Sequence, residues 1–314
     1  MSENQFNNIL INSLKLPEIN TLDDLSYQML LSKKLLYTLS VSTEKYYKTF
    51  SINKKDGTRR KIDSPKYSLR VVQCWILRNI LEKIPLNDNV MGFRKGTEYG
   101  IKNNANMHKM HLYILKMDIE NFFPSIDRFL VYSIFEGLGY SQFIANTLTN
   151  YCMLNEYLPQ GASTSPYISN LVFREIDEKI NNYCSNNSIM YSRYADDLTF
   201  SSNSRNNLLG MIPIIKGIVE QYRFKINKNK TKIINPNDRK VVTGLIISDN
   251  KVRVKRKLKR NLRAMILNDI SKKGILSRKT QGYIAFVKYI EGEEYSKKIE
   301  NYIDKIRLKI ISNK

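Results

Sequence analysis

Thiols, acids and long apolar runs are all scarce in this chain, and each scarcity removes a class of explanation. Only three cysteines occur, Cys74, Cys152 and Cys184. They are odd in number and far apart, which excludes a disulfide framework and paired-cysteine zinc sites. They read as small core residues of a protein in a reducing cytoplasm. No apolar run approaches the roughly 18 residues that a membrane span needs. The opening Met1-Ser2-Glu3-Asn4-Gln5-Phe6 lacks the basic and apolar regions of a signal peptide. No internal repeat or low-complexity linker breaks the 314 residues. Acids number 29 against 51 lysines and arginines, leaving a formal charge of +22 and a pI near 9.7. A chain this basic implies a polyanionic partner, nucleic acid first. An anionic membrane is the rival, but no amphipathic terminal anchor supports it.

What is present points to a site. Tyr194-Ala195-Asp196-Asp197 lies between the short apolar runs Ser188–Tyr191 and Leu198–Phe200, the pattern of a β-hairpin with two carboxylates at its tip. Asp118 ends a third run, Leu112–Met117. If these strands are neighbours, three carboxylates converge. Two like charges about 4 Å apart repel by roughly 4 kcal/mol at an effective dielectric near 20. Such a cluster needs cations, and hard oxygen donors favour Mg²⁺, with Mn²⁺ as substitute. Two such ions serve in-line nucleotidyl transfer.

The surrounding pattern predicts an α+β protein. Residues 1–40 read as a helical extension, with Thr21 as an N-cap and apolar positions continuing to Leu36. Tyr46–Ile52 and Arg59–Ile62 read as a basic hairpin turned by Lys54–Thr58. Ser64-Pro65 is expected to start a helix whose stripe is Leu69, Val72, Ile76, Ile80 and Leu81. Gly161 to about Ser185 reads as a loop and one long helix, 204–221 as another. Phe224–Ile226 and Lys232–Ile234 read as strands around the Asn227–Thr231 turn. From Lys251 onward nineteen lysines and arginines face six acids, so thirteen of the 22 net charges sit in the last fifth. There Tyr283, Phe286, Tyr289 and Tyr295 have helical spacing, which favours packing over stacking on bases.

Asp118-Ile119-Glu120-Asn121-Phe122-Phe123-Pro124-Ser125-Ile126, Leu158-Pro159-Gln160-Gly161-Ala162-Ser163-Thr164-Ser165-Pro166 and Tyr194-Ala195-Asp196-Asp197 follow one another in that order. Together they resemble the successive palm motifs of reverse transcriptases. The resemblance implies a right-hand polymerase fold, with fingers and palm over 41–244 and a basic RNA-binding thumb over 245–314. It implies that Asp118, Asp196, Asp197 and the Ile119 carbonyl hold two metal ions. Phe123 would be the steric gate against ribonucleotides, while Phe122 is core. Gln160 and Gly161 would meet the incoming dNTP or template. Lys54 and Arg60 would clamp its phosphates, with Arg59 or Lys61 as substitutes, and Lys230 would protonate departing pyrophosphate.

Asn104-Ala105-Asn106-Met107-His108 and Val242-Thr243-Gly244 further resemble two signatures of bacterial retron reverse transcriptases. That family implies a cognate structured noncoding RNA, primed from a guanosine 2′-hydroxyl and copied into branched msDNA. It also implies a separate effector protein in anti-phage defence. The chain ends soon after the thumb, so no RNase H domain is expected in it and RNA removal would fall to a host RNase H. His108 is expected to hold the fingers–palm junction or RNA rather than act as a base. The rivals are a group II intron or diversity-generating reverse transcriptase, and a non-catalytic RNA-binding scaffold. A scaffold has no need of three repelling carboxylates.

Overall fold

The computed structural model describes residues 11–53 and 57–312. Of the helical extension expected over 1–40, residues 1–10 lie outside the described residues; residues 11–13 are helical, and α1 (Leu22–Met29) and α2 (Lys33–Val41) follow as separate helices where a continuous stretch to Leu36 was expected. Thr21 does cap α1: its hydroxyl accepts from the Asp24 N–H while the Asp24 carboxylate accepts from the Thr21 N–H, worth about 1 kcal/mol. The break comes at Leu30, in the left-handed region at φ 54°.

The basic hairpin follows, β1 (Tyr47–Asn53) paired antiparallel with β2 (Arg59–Pro65). Ser64 and Pro65 continue β2, opposite Lys48 and Tyr47, instead of starting the next helix. Lys66 is the N-cap of α3 (Tyr67–Asn79). Proline at a strand end costs the ladder little, so the pairing wins over the capping pattern. The stripe Leu69, Val72, Ile76, Ile80 and Leu81 is fully buried, each side chain contributing about 1.5–3 kcal/mol of transfer free energy.

After α4 (Ile101–Met107) come β3 (Tyr113–Asp118), α5 (Arg128–Gly137) and α6 (Gln142–Cys152). The expected long helix after Gly161 is two, α7 (Ser165–Val172) and α8 (Arg174–Asn186), interrupted at Phe173, whose ψ of 0° leaves helical geometry. The hairpin β4 (Met190–Tyr194) and β5 (Asp197–Ser202), helix α9 (Arg205–Gln221) and β6 (Lys232–Ile234) follow. Of Phe224–Ile226, only Ile226 makes a β-contact, an isolated bridge to Ile119. One antiparallel sheet has the order β4-β5-β3-β6.

A second sheet joins β7 (Lys240–Val242), β8 (Leu245–Ser248) and β9 (Lys251–Arg253). The turn between its first two strands is Thr243-Gly244, both at positive φ, the geometry of a tight hairpin. The boundary expected at 244 therefore falls inside a paired hairpin. Three helices complete the chain: α10 (Arg256–Lys273), α11 (Arg278–Glu291) and α12 (Glu293–Ser312).

Strand alternation explains how the two cores meet. Leu115 and Met117 lie in the larger core, which runs from Ile11 to Ile226. Ile114 lies in the second, with Val242, Leu262 and Ile299. Successive side chains of a strand face opposite sides, so β3 is the partition between them. Of the four C-terminal aromatics, Tyr295 is buried and Phe286 half-buried against the second core, whereas Tyr283 and Tyr289 are exposed. Packing accounts for only half of that stripe. Among the described residues no helix is long and apolar enough to cross a membrane.

Candidate active site

The central sheet brings the acidic motifs to one end. Antiparallel pairing of β3 with β5 sets Asp118 directly opposite Asp197. Residues paired in this way share a face, with Cβ atoms about 4.5–5.5 Å apart. Between β4 and β5 the chain reverses through Ala195 and Asp196, with Ala195 at φ 58°. The Ile119 N–H donates to the Asp196 carbonyl at 3.0 Å. On the other edge the Asn227 N–H donates to the Asp118 carbonyl, and the Glu120 N–H to the Lys225 carbonyl, both at 2.8 Å. The Ile119 N–H thus faces the Asp196 turn.

Electrostatics mark the cluster. Burial pushes the Asp118 carboxyl above its usual range, outweighing the opposing pull of Lys230. Asp196 is raised by burial first and by the charge of Asp118 second. The Lys230 ammonium donates to both Asp118 oxygens, at 2.8 and 2.9 Å, and that bond raises its own pKa. Lys230 is still 59% exposed. The charges of Asp118 and Asp197 both raise the Asp196 carboxyl, so the three acids lie within electrostatic reach of one another. Among the described residues no three His, Cys, Asp or Glu side chains form a close-set group fit to hold a metal. In kind the donors are all hard oxygens, which suits Mg²⁺ or Mn²⁺, and the cation now on Asp118 is a lysine.

The other expected residues distribute unevenly. Phe123 is half-buried, edge-on to the core ring of Phe122 at 5.6 Å and 6.4 Å from Phe93. Phe93 is in turn 6.2 Å from Tyr194, so Phe123 joins an aromatic row leading to the acidic hairpin. Gln160 and Gly161 make their backbone contacts with β2: the Asp63 N–H donates to the Gln160 carbonyl at 2.8 Å. Gly161 sits at φ 131°, and a Cβ there would meet the Asp63 carbonyl at 2.8 Å. Arg60 is exposed on β2 opposite Ile52. Lys54 lies outside the described residues.

Several residues that hold the acidic turn were not singled out in the sequence. Arg193, fully buried, bonds Asp177 through Nε and Nη2, Asn170 through Nη1 at 3.0 Å, and the Ala195 carbonyl at 3.1 Å. Tyr191 donates to the same Asp177 at 2.6 Å. Gly92 lies against the turn so closely that a Cβ would meet the Ala195 nitrogen at 2.9 Å. The available signal was an arginine beside the acidic tetrad with an aspartate sixteen residues before it, too common a pair to stand out.

His108 is a pin. It is wholly buried, with Nε2 2.7 Å from Ser192 Oγ and Nδ1 2.7 Å from Ser201 Oγ. Ser192 donates to Asn104 Oδ1 at 2.6 Å, so it accepts from His108 Nε2–H. Nδ1 is then the acceptor. Burial drives the imidazole pKa down to about 3. It holds α4 on the sheet and, being fully buried, does not reach a bound RNA. Thr243 donates to the Ile101 carbonyl at 3.0 Å, so both retron-like signatures meet at α4.

Comparison with known proteins agrees with this geometry. Residues 52–265 match the family of reverse transcriptases (RNA-dependent DNA polymerase). The chain is 32% identical to the Retron Ec86 reverse transcriptase of Escherichia coli over 99% of its own length and 97% of that protein's. It is 32% identical to the Retron Se72 reverse transcriptase of Salmonella heidelberg, over 84% of this chain and 71% of the relative. With the Retron Ec73 reverse transcriptase of Escherichia coli it shares 30% identity over 83% and 88%. Facing aspartates on paired strands and near full-length similarity lead to one conclusion: this chain belongs to the retron-type reverse transcriptases and is an RNA-directed DNA polymerase.

Proposed function

We propose that this polymerase serves a retron, copying part of its own structured noncoding RNA from a guanosine 2′-hydroxyl to yield branched msDNA. The observation that carries the catalytic part is Asp118 facing Asp197 across β3 and β5, with Asp196 in the adjoining turn. The central sheet is then the palm, the β1–β2 hairpin belongs to the fingers, and the basic C-terminal helices are the thumb.

Asp118, Asp196 and Asp197, with the Ile119 carbonyl, would hold two Mg²⁺, or Mn²⁺ in their place. Bound there, divalent ions activate the attacking hydroxyl and neutralise charge on the triphosphate. The protein's own part is positional. The raised Asp118 and Asp196 report a partly dry, like-charged site that favours a cation. Lys230 supplies one in the resting chain, and its exposed ammonium is placed to swing toward departing pyrophosphate and donate a proton. Phe123 limits the room beside the sugar and selects dNTPs. Gln160 and Gly161, beside β2, would line the nascent pair, and Arg60 and Lys54 would meet the triphosphate.

A separate effector protein, a role in anti-phage defence, RNA removal by a host RNase H and residence in the cytoplasm complete the proposal. The test is purification from the native host, RNase treatment and a gel for small single-stranded DNA. DNA should accompany the wild type and vanish with Asp196→Ala/Asp197→Ala. A wild type that carries no DNA contradicts the retron reading, and undiminished DNA in the variant contradicts the catalytic one.

A further inference from the structure

Phe93 carries a strained backbone. Its φ is 62°, in the left-handed region that bulky side chains rarely adopt, and its ring is 38% exposed. Burial is a weak reason to hold an aromatic ring in that geometry. We propose that Phe93 is a positioning residue for sugar selection: its ring backs Phe123, so that rejection of ribonucleotides depends on the pair. This rests on the reading of Phe123 as the steric gate.

The segment that presents this ring is fastened on both sides. Before it, the Met91 N–H donates to the Arg193 carbonyl at 2.8 Å, and the buried Asn170 amide donates to the Gly92 carbonyl at 3.0 Å. After it, Arg94 donates to the Asn87 carbonyl at 2.6 Å and to the Tyr99 hydroxyl at 2.8 Å. The Arg94 guanidinium also lies 3.6 Å from the Tyr99 ring centroid. A residue clamped in this way keeps an unfavourable φ because its neighbours over-determine it. With Gly92 pressed against Ala195 and Tyr194, the backbone beneath the ring is fixed to the acidic hairpin.

The ring's own neighbours are Phe123, tilted by 59° at 6.4 Å, and Tyr194, tilted by 45° at 6.2 Å. Both distances suit a favourable aromatic pair. Phe123 also meets Phe122 at 5.6 Å, so two rings restrict it. Phe122 is held by the core and Phe93 by the acidic hairpin. The gate ring is thereby set in place relative to the carboxylates. Without Phe93, Phe123 can turn aside into the vacated space and make room for a 2′-hydroxyl.

Competitive single-nucleotide extension by the full chain tests this, with the ratio of ribonucleotide to dNTP use as the readout. Phe93→Ala should raise that ratio about 2–10-fold, the worth of one aromatic pair. Phe93→Gly removes the ring at a φ that glycine adopts freely, so it keeps the fold and should raise the ratio as much. Phe93→Tyr retains the ring and should stay at the wild-type ratio. Because Phe93 acts through Phe123, Phe93→Ala/Phe123→Ala should match Phe123→Ala alone. An unchanged ratio in both ring deletions, or a double variant whose effect is the product of the two single ones, overturns the positioning role and leaves the gate standing. An unchanged ratio in Phe123→Ala overturns the gate reading beneath it.

Discussion

At the scale of single residues, the contrast between Phe122 and Phe123 shows how a site is carved from a core. Phe122 packs edge-on to Phe173 at 5.6 Å and is buried, while its neighbour leans out toward Phe93. If Phe123 closes the space beside the sugar, Phe123→Ala should raise ribonucleotide use relative to dNTP use about 10–200-fold, the worth of one apolar contact. Competitive single-nucleotide extension measures it; an unchanged ratio removes Phe123 from the gate. Lys230 makes a different prediction. Lys230→Ala removes both the competitor for Asp118 and the proposed proton donor. It should lower kcat about 10²-fold while the Mg²⁺ concentration for half-maximal rate falls. A rise in that concentration would contradict the picture of an ammonium holding the cation's place.

At the scale of elements, the acidic hairpin depends on a buried charge pair. Asp177→Asn leaves the Arg193 guanidinium uncompensated at zero exposure. Breaking such a pair from one side should cost about 3–5 kcal/mol in urea unfolding, and a loss under about 1 kcal/mol would show that Arg193 relaxes to another partner. The α4 pin predicts a pH dependence. His108 is neutral in the fold, with a pKa near 3, against about 6.5 when unfolded. The unfolded chain binds the extra proton between those values, so stability is full above about pH 6.5 and falls as pH drops toward 3. The slope from this group is about 1.4 kcal/mol per pH unit. His108→Gln should remove that component from unfolding measured between pH 7 and 5; an unchanged slope would contradict it.

Much of this scale was legible in the chain itself. Alternation around Asp118 and the Tyr-Ala-Asp-Asp tetrad located the paired strands, and the Thr21 cap located α1. The misreadings have physical reasons. Ser64-Pro65 carries a helix-start pattern, but long-range pairing with Tyr47 and Lys48 absorbs it. The break at Phe173 follows from packing Phe173 against Phe122 and Phe224, which no local pattern records. The Arg193–Asp177–Asn170 lattice joins three elements and exists only once the fold does.

At the scale of the molecule, β3 is both the wall between two hydrophobic cores and the carrier of Asp118. A carboxylate at the end of such a partition is held by packing on both sides. Under the proposed function, the surplus of 22 positive charges would draw nucleic acid to the chain. The most direct measurement is extension of a DNA primer on an RNA template by the purified chain with dNTPs and Mg²⁺. It should be run beside Asp196→Asn/Asp197→Asn, with thermal unfolding to show that both proteins are folded. The account predicts full-length product from the wild type and a rate lower by about 10³-fold or more in the variant; a folded variant that extends the primer at the wild-type rate would contradict it.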